Sequence, residues 1–274
     1  MKSFQKIIFF IGLGLLGINI YGLFKSLREP GIYNEQNTKK VNDITIKYPE
    51  VKEQLQRKDG ETDKDFAQRI TYVVADGMLY YWKGAGYKTN NDDLSKYNLR
   101  VPVWENYLLW LPYALKGKDY AGYEFSNYKK NLERGVGLCS TNSIVLKGVL
   151  NKYGIKAELW DIDGHHVVTR AQVDKEKNEW WMLDASYGIV VPFDIPAIEA
   201  NPEIIRDAYK DVASKYKPNA PNAYSTDRII GYYGSKNNHT YSMDGFKEDV
   251  LYWAKWIIPF LLMLPYGLSL LRRK

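Results

Sequence analysis

The chain has 274 residues, 45% hydrophobic and 26% charged, enough apolar material for a packed domain with appendages, so disorder is not the expectation. The net charge is a mild +6 and no lysine- or arginine-rich run occurs, which argues against nucleic acid as a partner and suits an anionic lipid surface better. A single cysteine excludes an internal disulfide.

The first predicted element is apolar. Eighteen residues from Ile7 to Phe24 carry no charge, between Lys2/Lys6 and Lys25/Arg28. A helix needs about 20 such residues to cross a bilayer. No small-x-small cleavage site follows, so residues 1–28 read as an uncleaved transmembrane anchor rather than a signal peptide. Residues 29–60 are polar and mixed, the composition of a stalk or linker. A domain is expected over 61–246. Its first helix starts at Thr62 or Asp63, and Phe66, Ile70, Val73, Val74, Gly77 and Tyr81 recur at helical spacing. "KGAGYKTNNDDLSKYN" reads as a loop. "VPVWENYLLWLPYAL" reads as a short aromatic helix or turn bounded by Pro102 and Pro112, and "YEFSNYKKNLERGVG" as a helix ending at glycine.

A helix then begins at Cys139, with Ile144, Val145, Val149, Leu150 and Tyr153 on its apolar side and Gly154 as its C-terminal cap. Three extended runs follow: "IKAELWDID", "HHVVTRAQV" and "EWWMLDASYGIVVPF". The charged turn "DKEKNE" joins the last two as a hairpin. "DIPAIEA" and "PEIIRDAYKDVASKY" read as helical, before a Tyr/Asn-rich tail to about 246. Helices, then a Cys-bearing helix, then antiparallel strands make an α+β arrangement.

Residues 247–274 form the second apolar end. Trp256 to Leu271 carry no charge, with Val250 to Ala254 extending the run past Lys255. Pro259 and Pro265 are expected to kink it, and Trp253, Lys255 and Trp256 suit an interfacial belt. Arg272, Arg273 and Lys274 follow at once, so the segment reads as a transmembrane helix with its end in the cytoplasm. Two passes through the cytoplasmic (inner) membrane then place the residues between them on the extracytoplasmic side. Lys25, Arg28, Lys39 and Lys40 run against that orientation.

The chemistry gathers around Cys139. A thiolate is the working nucleophile, and its formation is favoured at a helix N-terminus or beside a histidine. Gly135 and Gly137 let the chain turn sharply before Cys139, "STNS" opens the helix with free backbone N–H groups, and the N–H of Cys139 itself is expected to face a developing oxyanion. A base and an orienting acceptor are needed. His165 and His166 stand together at the start of the second strand, and Asp184 lies on the next. Successive strand side chains face opposite ways, so only one of the two histidines can face Cys139.

These residues resemble the transglutaminase-like superfamily of cysteine enzymes. "GVGLCSTNSIVLKGVLNKYGIKAELWDIDGHHVV" followed by "NEWWMLDASYG" matches its pattern of a glycine-led cysteine on a helix, "GI.A" leading into a strand, a histidine opening the next, and "W..LD" on a third. The resemblance covers about 60–200. It implies a papain-like core, a Cys-bearing helix packed on an antiparallel sheet, with Cys139 as nucleophile, His166 as base and Asp184 as orienter. His165 is the alternative base. The pattern often has proline after the aspartate; here Ala185 follows Asp184. Trp104 and Asn106 are the oxyanion candidates it suggests. The whole chain resembles membrane-anchored bacterial members of the superfamily, some associated with envelope polysaccharide loci.

The expected activity is acyl transfer or hydrolysis at an amide or peptide bond through a thioester on Cys139. The expected partners are a peptide, protein or amide-bearing envelope substrate, the lipid bilayer, and envelope polysaccharide machinery. No cofactor is implied. A metal site at Asp161, Asp163 and His165 is the chemical rival, but Gly164 interrupts their alternation. His239 has no evident partner. The alternative from another class is a non-catalytic, membrane-anchored binding or assembly module.

Overall fold

A computed structural model describes residues 2–30, 32, 46–80, 97–116, 122–212 and 225–271. In chain order the elements are α1 (Lys2–Gly22), α2 (Tyr48–Gln54), α3 (Asp63–Gly77), β1 (Leu79–Tyr80), α4 (Tyr107–Lys116), α5 (Tyr128–Arg134), β2 (Val136–Gly137) and α6 (Cys139–Lys152). Then come β3 (Ala157–Ile162), β4 (His166–Asp174), β5 (Glu179–Asp184), β6 (Ile189–Val191), α7 (Ile195–Ala200), a 3-10 turn (Pro202–Ile205), α8 (Arg206–Tyr209), α9 (Thr226–Tyr233), β7 (His239–Tyr241) and α10 (Phe246–Leu271). They fall into two compact units. One is built from residues 1–27, 91–123 and 244–274, the other from 28–90 and 124–243.

In the first unit, α1 and α10 contain segments, Ser3–Gly22 and Phe246–Leu270, long and apolar enough to cross a membrane. They pack against each other closely. A methyl group on Gly12 would lie 2.7 Å from the carbonyl oxygen of Pro259, and Phe9 meets Tyr266 edge-on at 5.4 Å. Small residues permit such approach between apolar helices. Pro259 has no N–H, so the carbonyl of Lys255, one turn earlier, loses its helical donor. Asn19 Nδ2 replaces it at 2.6 Å and the Tyr107 hydroxyl at 3.0 Å. Lys255 Nζ donates to the carbonyl of Glu105, whose carboxylate accepts from the Tyr252 hydroxyl at 2.6 Å.

The second unit holds a five-stranded antiparallel sheet in the order β6-β5-β4-β3-β7. Thr62 caps α3 by accepting from Asp65 N–H at 3.1 Å, and the apolar stripe expected on that helix is buried through Phe66, Ile70, Val73 and Val74. These residues share a core with Val145, Leu146, Val149 and Leu150 of α6 and with Ala157, Ala171 and Leu183 of the sheet. Gly154 ends α6 with φ +80°, and Ile155 N–H closes on the Leu150 carbonyl.

Four expectations change in detail. The run from Glu179 to Phe193 divides into β5 and β6, because Gly188, at φ +62°, supports a turn between them. The tail before residue 246 contributes α9 and the edge strand β7. The segment read as a stalk includes α2, whose Val51 joins the core together with Leu55 just past its end. The helix over "YEFSNYKKNLERGVG" is confined to α5, where Asn127 caps the start and Gly135, at φ +70°, ends it. The loop reading of 83–98 lies almost wholly outside the described residues, as does 213–216 of the helix expected after Pro202.

Replacing Asn19 with leucine leaves the Lys255 carbonyl with one donor fewer. The expected loss of stability in detergent is about 1 kcal/mol, read from the shift in the thermal unfolding of α1 and α10, and Tyr107→Phe in the same chain should deepen it.

Candidate active site

The turn from β3 to β4 decides which histidine faces inward. Asp163 and Gly164 both take positive φ, +54° and +70°, and His165 N–H donates to the Ile162 carbonyl at 3.0 Å. Such an Asp-Gly turn matches the twist of antiparallel strands. β4 therefore starts at His166, opposite Ile162. Thr169 pairs with Leu183, so Asp184 falls level with Val168, and His166 is the next residue on that face. Diagonal neighbours on one face are within reach of long side chains.

His166 Nε2 lies 2.8 Å from Asp184 Oδ2. The Cys139 sulfur acts on the same imidazole electrostatically and favours its protonated form. His165, by contrast, is exposed and stacks on Tyr232 with ring centroids 4.2 Å apart. Tyr187 lies against the His166 ring, 5.4 Å away and tilted by 26°.

Polar residues of α6 hold Cys139 in place. Ser143 Oγ donates to the Val167 carbonyl at 2.9 Å, and Thr169 Oγ1 returns a bond to the Ser143 carbonyl at 3.2 Å. Asn142 Nδ2 reaches the Ala185 carbonyl at 3.4 Å. At the helix start, Leu138 N–H donates to Thr141 Oγ1 at 3.2 Å, and the hydroxyls of Ser140 and Thr141 both donate to Glu124 Oε1. A carboxylate suits the positive end of a helix. Gly137 is required here, since a Cβ would lie 2.3 Å from the Thr141 side chain.

Asp184 is fully buried. Its Oδ1 accepts from Ser186 N–H at 2.9 Å, and Oδ2 accepts from the Tyr209 hydroxyl at 2.8 Å as well as from His166. Tyr209 and Tyr233 join their hydroxyls at 3.0 Å. Burial, then the charge of Asp184, pushes both phenols well above their ordinary range, so they stay protonated. For His166, burial works against the cation. The charge and hydrogen bond of Asp184, joined by the Cys139 sulfur, outweigh it and raise the imidazole from 6.5 to about 10.

Trp104 and Asn106 belong to the first unit. Asn106 Oδ1 accepts from the N–H groups of Leu108 and Leu109 at 3.0 and 3.3 Å, and Nδ2 donates to the Leu251 carbonyl. Its carboxamide is thus engaged at the start of α4 and on α10. Asp161 accepts from Gly164 N–H and Asp163 from Asn237 Nδ2. Among the described residues no group of three or more His, Cys, Asp or Glu side chains could hold a metal ion. Tyr209, Tyr233, Tyr187 and Glu124 were not singled out in the sequence. The tyrosines lie among 23, with nothing local to mark them. Compared with known protein families, curated proteins and solved structures, the chain matches none.

Two outcomes follow from this geometry. A histidine raised above its unfolded value adds stability that is fully present below about pH 6.5 and is lost as pH climbs through about 10. The difference in unfolding free energy between the wild type and His166→Gln should therefore narrow across that range. Tyr209→Phe removes a donor from a buried charge and should cost about 2 kcal/mol, measured by denaturant titration at neutral pH.

Proposed function

We propose that the second unit is a transglutaminase-like cysteine enzyme with a papain-like core, acting on an amide or peptide carbonyl through a thioester on Cys139. The observation that carries this reading is the pair of His166 and the buried carboxylate of Asp184, 2.8 Å apart, with the Cys139 sulfur acting on the same imidazole. A nucleophile, a base and an orienter in hydrogen-bond reach are the working parts of such a site.

In the first step the Cys139 sulfur adds to the carbonyl carbon and the carbonyl electron pair moves onto oxygen. The N–H groups in the first turn of α6 have no partner within the helix, so they can meet that charge. Collapse breaks the carbon–nitrogen bond, and the proton held on His166 passes to the departing amine. Water or a primary amine then gives its proton to His166 and attacks the thioester, which releases the acyl group and restores the sulfur. Water makes the reaction a hydrolysis, an amine makes it a transfer.

The two apolar helices and the basic end after Leu271 support a two-pass protein of the bacterial inner membrane, with this unit on the extracytoplasmic side. The substrates within reach are peptides, proteins and amide-bearing material of the envelope, where polysaccharide machinery is a fitting partner.

Cys139 is the sole thiol, so iodoacetamide uptake by the full chain in detergent reports on it alone. At neutral pH, His166→Ala should slow alkylation on the order of tenfold or more, with the fold checked by circular dichroism. A rate indifferent to His166 would overturn the enzyme reading and leave a binding or assembly module.

A further inference from the structure

The far end of α6 lines a second feature. A groove of about 310 Å³ opens between α2, α5 and the C-terminal end of α6. Cys139 stands at the opposite end of that helix, on the order of 20 Å away at 1.5 Å per residue. Tyr48, Tyr128 and Tyr153, all half-buried, wall the groove, and Leu132 and Val149 form part of its floor.

Three exposed lysines, Lys52, Lys129 and Lys152, stand around it. Two of them are held over the aromatic walls. Lys52 Nζ lies 4.9 Å from the centre of the Tyr48 ring, and Lys152 Nζ lies 4.8 Å from that of Tyr153. Glu133, whose charge acts on Tyr48, is paired with Lys130 at 3.7 Å. No ion pair to an acidic side chain forms at these three lysines among the described residues.

We propose that this groove docks an acidic peptide segment, with one bulky apolar side chain against the floor and flanking carboxylates against the three lysines. The charge pattern calls for an anion, and the mostly apolar lining calls for a side chain rather than a sugar. A saccharide needs several directional hydrogen-bond partners. The groove offers one side-chain amide, Gln56, whose oxygen already accepts from the Tyr153 hydroxyl at 2.7 Å. The volume is at the small end for ligand pockets, enough for an anchoring side chain. The docking site is separate from Cys139 and does not rest on the chemistry proposed there.

The test uses the full chain in phosphatidylcholine nanodiscs and a fluorescein-labelled acidic nonapeptide with a central phenylalanine. Anisotropy should report a dissociation constant of about 10–100 µM that weakens with salt. The exposed changes Lys52→Gln, Lys129→Gln and Lys152→Gln, combined in one chain, should weaken binding about tenfold, roughly 1.4 kcal/mol. Cys139→Ala should leave binding unchanged, which keeps this result distinct from the fate of the enzyme reading. Three results would overturn the proposal: no binding to the wild type, affinity indifferent to the three lysines, or stronger binding of alginate oligosaccharide or phosphatidylglycerol vesicles through the same lysines.

Discussion

A buried carboxylate governs the second unit. Asp184 has no exposure, and an ionised group in that position is tolerated only when donors surround it. Each neighbouring element supplies one. The turn after β5 aims Ser186 N–H back at Oδ1, β4 brings His166, and α8 brings the hydroxyl of Tyr209. Tyr233 of α9 stands behind Tyr209. The helices that follow the sheet are thus part of the charge's immediate surroundings. Their tyrosines bury large apolar rings and still deliver a polar tip to the one place that needs it.

The same economy fastens α6. A helix packed only by apolar contacts can slide or rotate by a fraction of a turn. Ser143 and Thr169 exchange bonds across the interface with β4, and Asn142 reaches the end of β5. These polar side chains lie within one turn of Cys139. They fix the height and rotation of the sulfur against the imidazole. The first turn is more polar than a buried helix needs for packing, and its hydroxyls and amide have specific acceptors.

Much of this was legible in the chain because it is local. The apolar spacing of α3 and the glycine after α6 are short-range signals, and two adjacent histidines already imply that only one faces Cys139, although His165 falls in the turn before β4 rather than on the strand. β7 escaped notice because three residues at a sheet edge need little apolar patterning, and its partner β3 lies some 80 positions earlier, with Leu159 opposite Tyr241. Tyr209 and Tyr233 were hidden for a related reason. Their role is set by Asp184, 25 and 49 positions away, and one tyrosine hydroxyl looks like another until the partner is placed. Glu124 precedes Cys139 by a short helix and a turn, so no motif joins them. The division of the third extended run into β5 and β6 depended on the conformation of a single glycine, Gly188.

The first unit is assembled from three stretches that are far apart in the chain, and this has a consequence for its biosynthesis. Asn19 and the carbonyl it completes at Lys255 are 236 residues apart. At 5–20 residues per second, the ribosome needs about 10–50 seconds to make the partner after Asn19 has emerged. Throughout that interval α1 carries a carboxamide that has yet to meet its acceptor, while the strands and helices of the second unit are completed. The contact that joins the two ends of the chain is therefore among the last to form, and until α10 arrives the carboxamide of Asn19 needs another hydrogen-bonding companion.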